Sequence, residues 1–110
     1  MRRVLALSCG VPALTLLIQM GAWPIAAQDD VDRGKRTFSE AGCVMCHGPS
    51  ARGGDGPSLV PMARDFPDFI RVVREGIGEM PGQAEEEVTD EQIERVYEFI
   101  VRLSQPSGER

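Results

Sequence analysis

The stretch "GCVMCHG", residues 42–48, holds most of the chemically reactive side chains of this sequence. It contains two of the three cysteines, Cys43 and Cys46, and the only histidine, His47. If the segment is helical, the two thiols lie about one turn apart. Two thiols and an imidazole within five residues suit a redox pair, a metal site or a covalently held cofactor. The sequence around the motif decides among these three.

The first 27 residues have the order of parts of a secretory signal peptide. Two arginines provide a positive end, residues 4–25 carry no charge, and Ala27 ends a run of small residues before the composition turns charged. We therefore predict a signal peptide over residues 1–27 and a single domain over residues 28–110. The alternative is a retained membrane anchor, because about 20 apolar residues can span a bilayer. In both cases we expect an exported, periplasmic domain.

The composition of the predicted mature domain limits its partners. The formal net charge of the chain is −5, and it becomes −7 without the two arginines of the signal. Nucleic-acid binding needs clustered positive charge, so we expect no nucleic-acid partner. A domain of about 80 residues buries only a modest core and usually needs a disulfide, a metal or a cofactor to be stable.

Three helical patterns, joined by loops rich in glycine and proline, predict an all-α fold without strands. They cover about residues 30–41, about residues 67–75, and a segment that begins at a capping box of Thr89 and Gln92 and ends before Gln105. The predicted apolar faces are Val31, Gly34, Phe38 and Ala41 in the first, Phe66, Phe69, Ile70, Val73 and Ile77 in the second, and Ile93, Val96, Tyr97, Ile100 and Leu103 in the third.

A long loop, "GPSARGGDGPSLVPMARD" at residues 48–65, separates the cysteine motif from the second helix. It holds four glycines and three prolines. Loops of this length are unusual in small domains and commonly serve function. We therefore expect this loop to wrap around a bound group.

The three interpretations of the motif differ in the partners that they need. A thioredoxin-like redox pair should lie in a βαβ pattern, which is absent. A closed zinc site needs four ligands, and the remaining cysteine, Cys9, lies in the predicted signal. Covalent haem attachment needs only the signature C-x-x-C-H itself. We predict one haem c per chain, held by Cys43 and Cys46, with His47 as a ligand of the iron.

The second axial ligand of such a haem has to come from elsewhere in the chain. No second histidine exists, and a Met/His pair is a known ligand set that raises the reduction potential. Met80, in "GEMPG", is the predicted ligand, because its flanking glycines let the backbone approach a flat ring. Met62 is the alternative, and we expect it to pack as an apolar residue instead.

The other ring nitrogen of His47 needs a hydrogen-bond partner, as ligating histidines generally do. Pro57 follows His47 by ten residues in the segment "GPSL". Its carbonyl group is a candidate acceptor, and Leu59 is a candidate packing residue on the same side of the ring.

With "CVMCHG", "GPSL" and "GEMPG", the chain resembles class I cytochromes c of the small bacterial monohaem type. The resemblance covers essentially the whole mature chain. Gly34 and Phe38 resemble the signature of the N-terminal helix, and Tyr97 resembles the aromatic residue of the C-terminal helix on which it packs. The resemblance implies a cytochrome c fold, with three main helices and long loops wrapped around one covalently attached haem.

The same resemblance assigns roles to individual residues. It implies thioether links at Cys43 and Cys46, with a haem edge exposed nearby. It implies that His47 and Met80 are the axial ligands and that the Pro57 carbonyl group binds the histidine.

One departure from the family concerns charge. Well-known members carry a ring of lysines around the haem edge, whereas this chain has a single lysine, Lys35. Docking through such a ring is therefore not transferred to this chain. Arg64, Arg71 and Arg74 are candidates for haem propionates or a partner, and the alternative is that they are solvated helix charges.

Together these patterns predict a monomeric periplasmic carrier of one electron between a dehydrogenase and an oxidase or another acceptor. We expect no catalytic residues and no membrane contact unless the N-terminal segment is retained. One alternative is a haem enzyme or gas-binding module in which Met80 is absent or labile. Another is a haem subunit of a dehydrogenase complex.

Overall fold

The computed structural model describes residues 25–106 and, apart from these, Gly10. Most of the predicted signal peptide therefore lies outside the described residues. Residues 25–106 form four helices, which are α1 (Ile25–Glu40), α2 (Cys43–His47), α3 (Phe66–Glu75) and α4 (Asp90–Ser104). No strand occurs in this range, where Ile77 and Met80 form an isolated bridge. The prediction of an all-α fold is confirmed.

None of the helices in residues 25–106 combines the length and the apolar character needed to cross a membrane.

The first helix begins earlier than predicted and ends where the sequence indicated. It starts at Ile25 rather than near Asp30, and its last residue is Glu40. Gly42 then adopts a left-handed conformation with φ of 81°, and its N–H donates to the carbonyl group of Ser39 at 3.2 Å. Such a conformation suits glycine, because it has no Cβ atom. This turn reverses the chain and starts α2 at the cysteine motif.

The N-terminus of α3 is capped by the residue before it. The carboxylate of Asp65 accepts a hydrogen bond from the backbone N–H of Asp68 at 3.0 Å, and Pro67 lies in the first turn. Both features favour helix initiation at this point. The helix ends at Glu75, and Gly76 follows with φ of 77°. These signals keep α3 within ten residues, close to its predicted range.

The predicted capping box at the start of α4 is confirmed. The backbone N–H of Gln92 donates to the hydroxyl of Thr89 at 3.2 Å, and the N–H of Thr89 donates to the Gln92 side chain at 2.9 Å. Val88 and Ile93, on either side of the box, are both buried in the same apolar cluster, as in a hydrophobic staple. The acidic residues Asp90 and Glu91 in the first turn complement the helix dipole.

The core lies mainly where α1 crosses α4. A Cβ atom added to Gly34 would fall far inside van der Waals contact with the carbonyl oxygen of Arg95, so only glycine allows this approach of the two backbones. Beside it, the rings of Phe38 and Phe99 lie 5.8 Å apart at a tilt of 57°. The buried apolar cluster comprises Phe38, Ala51, Phe69, Val88, Ile93, Val96, Phe99 and Ile100.

Two expectations about apolar faces are corrected by the structure. Ile77 does not share the buried face of α3; it is 54% exposed, because α3 ends at Glu75 and Gly76 turns the chain. The α4 ring that faces Phe38 is Phe99, and it is Phe66 and Phe69 of α3 whose rings lie 5.4 and 5.2 Å from Tyr97. Two residues apart on a helix, Tyr97 and Phe99 lie on nearly opposite sides of α4, so Tyr97 faces α3 and Phe99 faces α1.

Candidate functional site

The cysteine motif forms its own short helix, α2, which packs on α1. Cys43 is partly buried, Cys46 is exposed, and neither thiol is in a disulfide. A spacing of three residues in a helix places both side chains on one side. Burial raises the pKa of the Cys43 thiol, an effect that its backbone hydrogen bond opposes and the neighbouring Cys46 reinforces. The helix therefore offers two free thiols toward the same region.

His47, the last residue of α2, is buried and held by one hydrogen bond. Its Nδ1 atom lies 2.8 Å from the carbonyl oxygen of Pro57. A carbonyl oxygen only accepts hydrogen bonds, so Nδ1 must carry the proton and donate it. The tautomer then leaves the lone pair of Nε2 available as a metal ligand. The structure therefore brings together His47 and Pro57, as the sequence predicted.

The long loop returns to α2 through backbone hydrogen bonds made by two of its glycines. The N–H of Gly53 donates to the carbonyl of His47, and the N–H of Gly56 donates to that of Cys46, both at 2.8 Å. A Cβ atom on Gly56 would lie 3.2 Å from the same Cys46 oxygen. These contacts fix the path of the loop up to Pro57. They explain two glycines of the loop, Gly53 and Gly56, which the sequence pattern indicates only as loop formers.

Leu59 continues this segment on the inner side of the loop. Its N–H donates to the carbonyl of Ala51 at 2.7 Å, and its side chain is partly buried against the core. Pro57 itself is exposed, so it contributes its carbonyl group rather than apolar contact. Pro57 thus supplies the hydrogen-bond acceptor for His47, and Leu59 supplies an apolar side chain on the inner side of the loop.

Met80 lies in a tight turn after α3. Its carbonyl accepts from the N–H of Ile77 at 3.1 Å, and its N–H donates back to the carbonyl of Ile77 at 2.9 Å. The side chain is partly buried. The turn therefore fixes the backbone of Met80, whose side chain is not enclosed by the described chain.

The other two methionines of residues 25–106 have different surroundings. Met62 packs against the hydrophobic core, and its N–H donates to the hydroxyl of Ser104 at 2.9 Å. Met45, between the two cysteines, is 81% exposed. These positions agree with the interpretation of Met62 as a packing residue.

The helix of His47 and the helix before Met80 belong to different parts of the domain. Helix α2 packs on α1 and α3 packs on α4, and no Cα atoms of α2 and α3 lie within 8 Å of each other. Two thiols, an imidazole nitrogen and a thioether are thus presented from two separately anchored segments. This donor set, with its histidine tautomer already fixed, fits a haem attached to α2.

The three arginines considered for haem propionates all have carboxylate partners within the described chain. Arg64 pairs with Asp68, as does Arg71. Arg74 pairs with Asp90 across two helices. The interpretation as a helix charge therefore accounts for Arg71, which lies on α3 together with Asp68, whereas Arg64 lies just before α3 and pairs with the same carboxylate. The contact that Arg74 makes to another element has no signal in the sequence.

Two alternative sites find no support within residues 25–106. This range has no strand next to the cysteines, as a thioredoxin-like pair requires. It also has no group of three or more histidine, cysteine, aspartate or glutamate residues placed to hold a metal ion.

Residues 29–100 match the family described as cytochrome c oxidase, cbb3-type, subunit III. The chain is 35% identical over 80 residues to a menaquinol:cytochrome c reductase cytochrome c subunit of Bacillus subtilis (strain 168), covering 69% of this chain and 31% of that protein. A protein of the same description from Geobacillus thermodenitrificans is 37% identical over 54 residues, or 49% of this chain and 21% of its own length.

The chain thus spans less than a third of the length of these relatives, and no solved structure matches it. The family match nevertheless extends over most of the chain, and it includes α2 and the turn of Met80. It confirms the resemblance seen in the sequence and the expectation of covalently attached haem c. The chain belongs to the cytochrome c oxidase cbb3-type subunit III family and is a small c-type cytochrome.

Proposed function

We propose that this protein is a periplasmic electron carrier whose single haem has His47 and Met80 as axial ligands. The hydrogen bond of 2.8 Å from His47 Nδ1 to the Pro57 carbonyl carries this proposal. It fixes the tautomer that an iron ligand needs, without any further rearrangement of the loop. The haem supplies the one-electron chemistry when bound.

Each residue of the site has a defined task in this proposal. Cys43 and Cys46 hold the ring covalently from one side of α2, and His47 binds the iron through Nε2. The carbonyl of Pro57 keeps the imidazole oriented, and the donated proton makes the ring a stronger ligand.

The remaining residues complete the other side of the haem and its surroundings. Met80 would provide the second ligand of the iron, a thioether that raises the reduction potential. Leu59, which is partly buried, excludes water from the side of the histidine. With His47 and Met80 both bound, the iron would have no open position for a substrate, and the protein would carry electrons rather than catalyse a reaction of its own.

We propose that residues 1–27 direct export, either as a cleaved signal or as a retained anchor, and that the domain from residue 28 onward acts as a monomer. Its partners are an electron donor and an electron acceptor, a dehydrogenase and an oxidase in the simplest case.

A second candidate function is supported by the relatives. They are cytochrome c subunits of menaquinol:cytochrome c reductases, so this chain serves in the second case as the haem subunit of a quinol-oxidising complex. Purification from native membranes in mild detergent separates the two candidates. A carrier purifies alone, whether salt or detergent releases it, whereas a subunit copurifies with other chains in fixed ratio.

Visible spectroscopy of the exported, purified protein tests the ligand set. We expect a low-spin ferric spectrum with the weak far-red band of thioether ligation, and a ferrous spectrum that carbon monoxide leaves unchanged. High-spin iron or rapid carbon monoxide binding would contradict the proposal, because either result means that one axial position is open. The function would then be sought among haem enzymes and gas-binding modules.

A further inference from the structure

A side chain outside the ligand set connects the loop of Met80 to two helices. Arg74 lies in the last turn of α3, and its side chain is only 22% exposed. Its Nη1 atom donates to the carbonyl oxygen of Gln83 at 3.1 Å. Its Nε atom donates to the carboxylate of Asp90 at 3.1 Å, and Nη2 pairs with the same group. One guanidinium thus joins α3, the segment after Met80 and the first residue of α4.

The backbone closes the same loop at its base. The N–H of Gln83 donates to the carbonyl of Val73 at 2.8 Å, and Gly76 donates to the carbonyl of Val72 at 2.8 Å. Gly82 lies against the backbone carbonyl of Arg74 so closely that no other residue fits there. The loop from Gly76 to Gln83 therefore begins and ends on the last turn of α3. Met80 lies between these two attachment points.

Arg71, one turn earlier on α3, differs from Arg74 in its exposure and in the location of its partners. Arg71 is 54% exposed, and its carboxylate partners, Asp68 and Glu75, are both on α3. An exposed pair within one helix contributes little to stability. Arg74 instead donates to a backbone carbonyl group and to a carboxylate on a different helix. A planar guanidinium with several fixed donors is suited to such a bridge.

We propose that Arg74 is a positioning residue for the axial ligand Met80. By holding Gln83 against Asp90, it keeps the Met80 loop closed over the ring and limits the fraction of molecules in which the thioether leaves the iron. This inference rests on the ligand set proposed above. It assigns to Arg74 an effect on ligand exchange at the iron that exceeds its effect on the stability of the whole fold.

Displacement of the thioether by imidazole in the ferric, haem-loaded protein tests the inference. We expect Arg74→Gln to bind imidazole with about tenfold higher affinity and to show a weakened far-red band. A hydrogen bond to a charged group is large enough to shift an equilibrium by one order of magnitude. Arg74→Lys should lie between the wild type and Arg74→Gln. Lysine keeps the charge opposite Asp90 but lacks the fork that reaches both partners.

Two controls separate positioning from general weakening. Arg71→Gln removes a guanidinium from the same helix without touching the loop, and Ile100→Val weakens the buried core ten residues beyond Asp90 along α4. Both should keep the imidazole affinity of the wild type, although Ile100→Val lowers the stability toward denaturant. If Arg74→Gln behaves like Arg71→Gln, or if Ile100→Val raises imidazole binding as much as Arg74→Gln, the inference is wrong.

The experiment also distinguishes this inference from the proposed function. If the wild-type protein lacks the far-red band, Met80 is not a ligand of the iron, and the proposed role of Arg74 is wrong as well. If the wild type shows the band and Arg74→Gln has the imidazole affinity of the wild type, only the positioning role of Arg74 is wrong. If Arg74→Gln yields no folded protein, Asp90→Asn replaces it, because this variant weakens the same bridge from the surface of α4. A higher imidazole affinity of Asp90→Asn then supports the inference, and an unchanged affinity overturns it.

Discussion

Gly34 of α1 lies directly against the backbone carbonyl of Arg95 in α4, with no room for a Cβ atom between them. This approach sets the depth to which the two helices interlock, and it brings Phe38 within 5.8 Å of Phe99, measured between ring centroids. Because α2 packs on α1, the same crossing also fixes where the haem-binding motif stands relative to the core.

Substitution of Gly34 by alanine should therefore destabilise the domain. The added methyl group forces α1 and α4 apart, and overpacking of this kind costs about 1–3 kcal/mol. Denaturant unfolding of the haem-loaded protein measures the loss. Lys35→Ala, at an exposed position of the same helix, is the matched control and should change the free energy of unfolding by less than about 0.5 kcal/mol. Equal stability of the two variants would show that the helices can separate without cost.

Replacement of the two partly buried methionines should have opposite effects on the spectrum. Met80→Ala should abolish the far-red band of the ferric protein, lower its reduction potential and open the ferrous protein to carbon monoxide. Met62→Leu should leave all three properties unchanged, because Met62 packs on the core and leucine conserves most of its volume. Loss of the band in Met62→Leu, with retention in Met80→Ala, would reverse the ligand assignment.

Acid should weaken the protein partly through Asp68. The hydrogen bond from Arg64, together with that from Arg71, lowers the pKa of this carboxyl group. A carboxyl group whose pKa is lower in the folded state stabilises the fold at any pH above its unfolded pKa of about 4, and this contribution disappears as the pH falls through the folded pKa. Asp68→Asn should therefore lose less stability than the wild type on acidification below about pH 4. Unfolding of both proteins by denaturant at a series of pH values measures the difference, and parallel curves would contradict the prediction.

The capping box of α4 should contribute measurably to stability. Thr89→Ala removes the hydroxyl that accepts from the N–H of Gln92, and loss of such a cap costs about 1 kcal/mol. Thr89→Ser keeps the acceptor and should retain most of the stability. Thermal unfolding of the three proteins provides the comparison. A serine variant as weak as the alanine variant would point to the methyl group of Thr89 rather than to its hydrogen bond.

The sequence by itself determined the helices and the chemistry of the site. Capping residues and glycines such as Thr89 and Gly42 act on their immediate neighbours, so the C-terminal end of α1 and both ends of α3 and α4 lie close to their predicted positions. The spacing of Cys43, Cys46 and His47 is equally local, and with "GEMPG" it sufficed to identify a c-type cytochrome, which the family match confirms.

Only the tertiary structure decided which surfaces meet, because packing depends on residues that are distant in the chain. The periodicity of α4 does not reveal that Phe99 faces α1 while Tyr97 faces α3. Nor does it reveal that Gly76 turns Ile77 out of the core, or that Arg74 reaches the carbonyl of Gln83 and the carboxylate of Asp90. Such long-range contacts follow from the angle at which whole helices cross. That angle is set by all the side chains in the crossing together, and no single motif in the sequence encodes it.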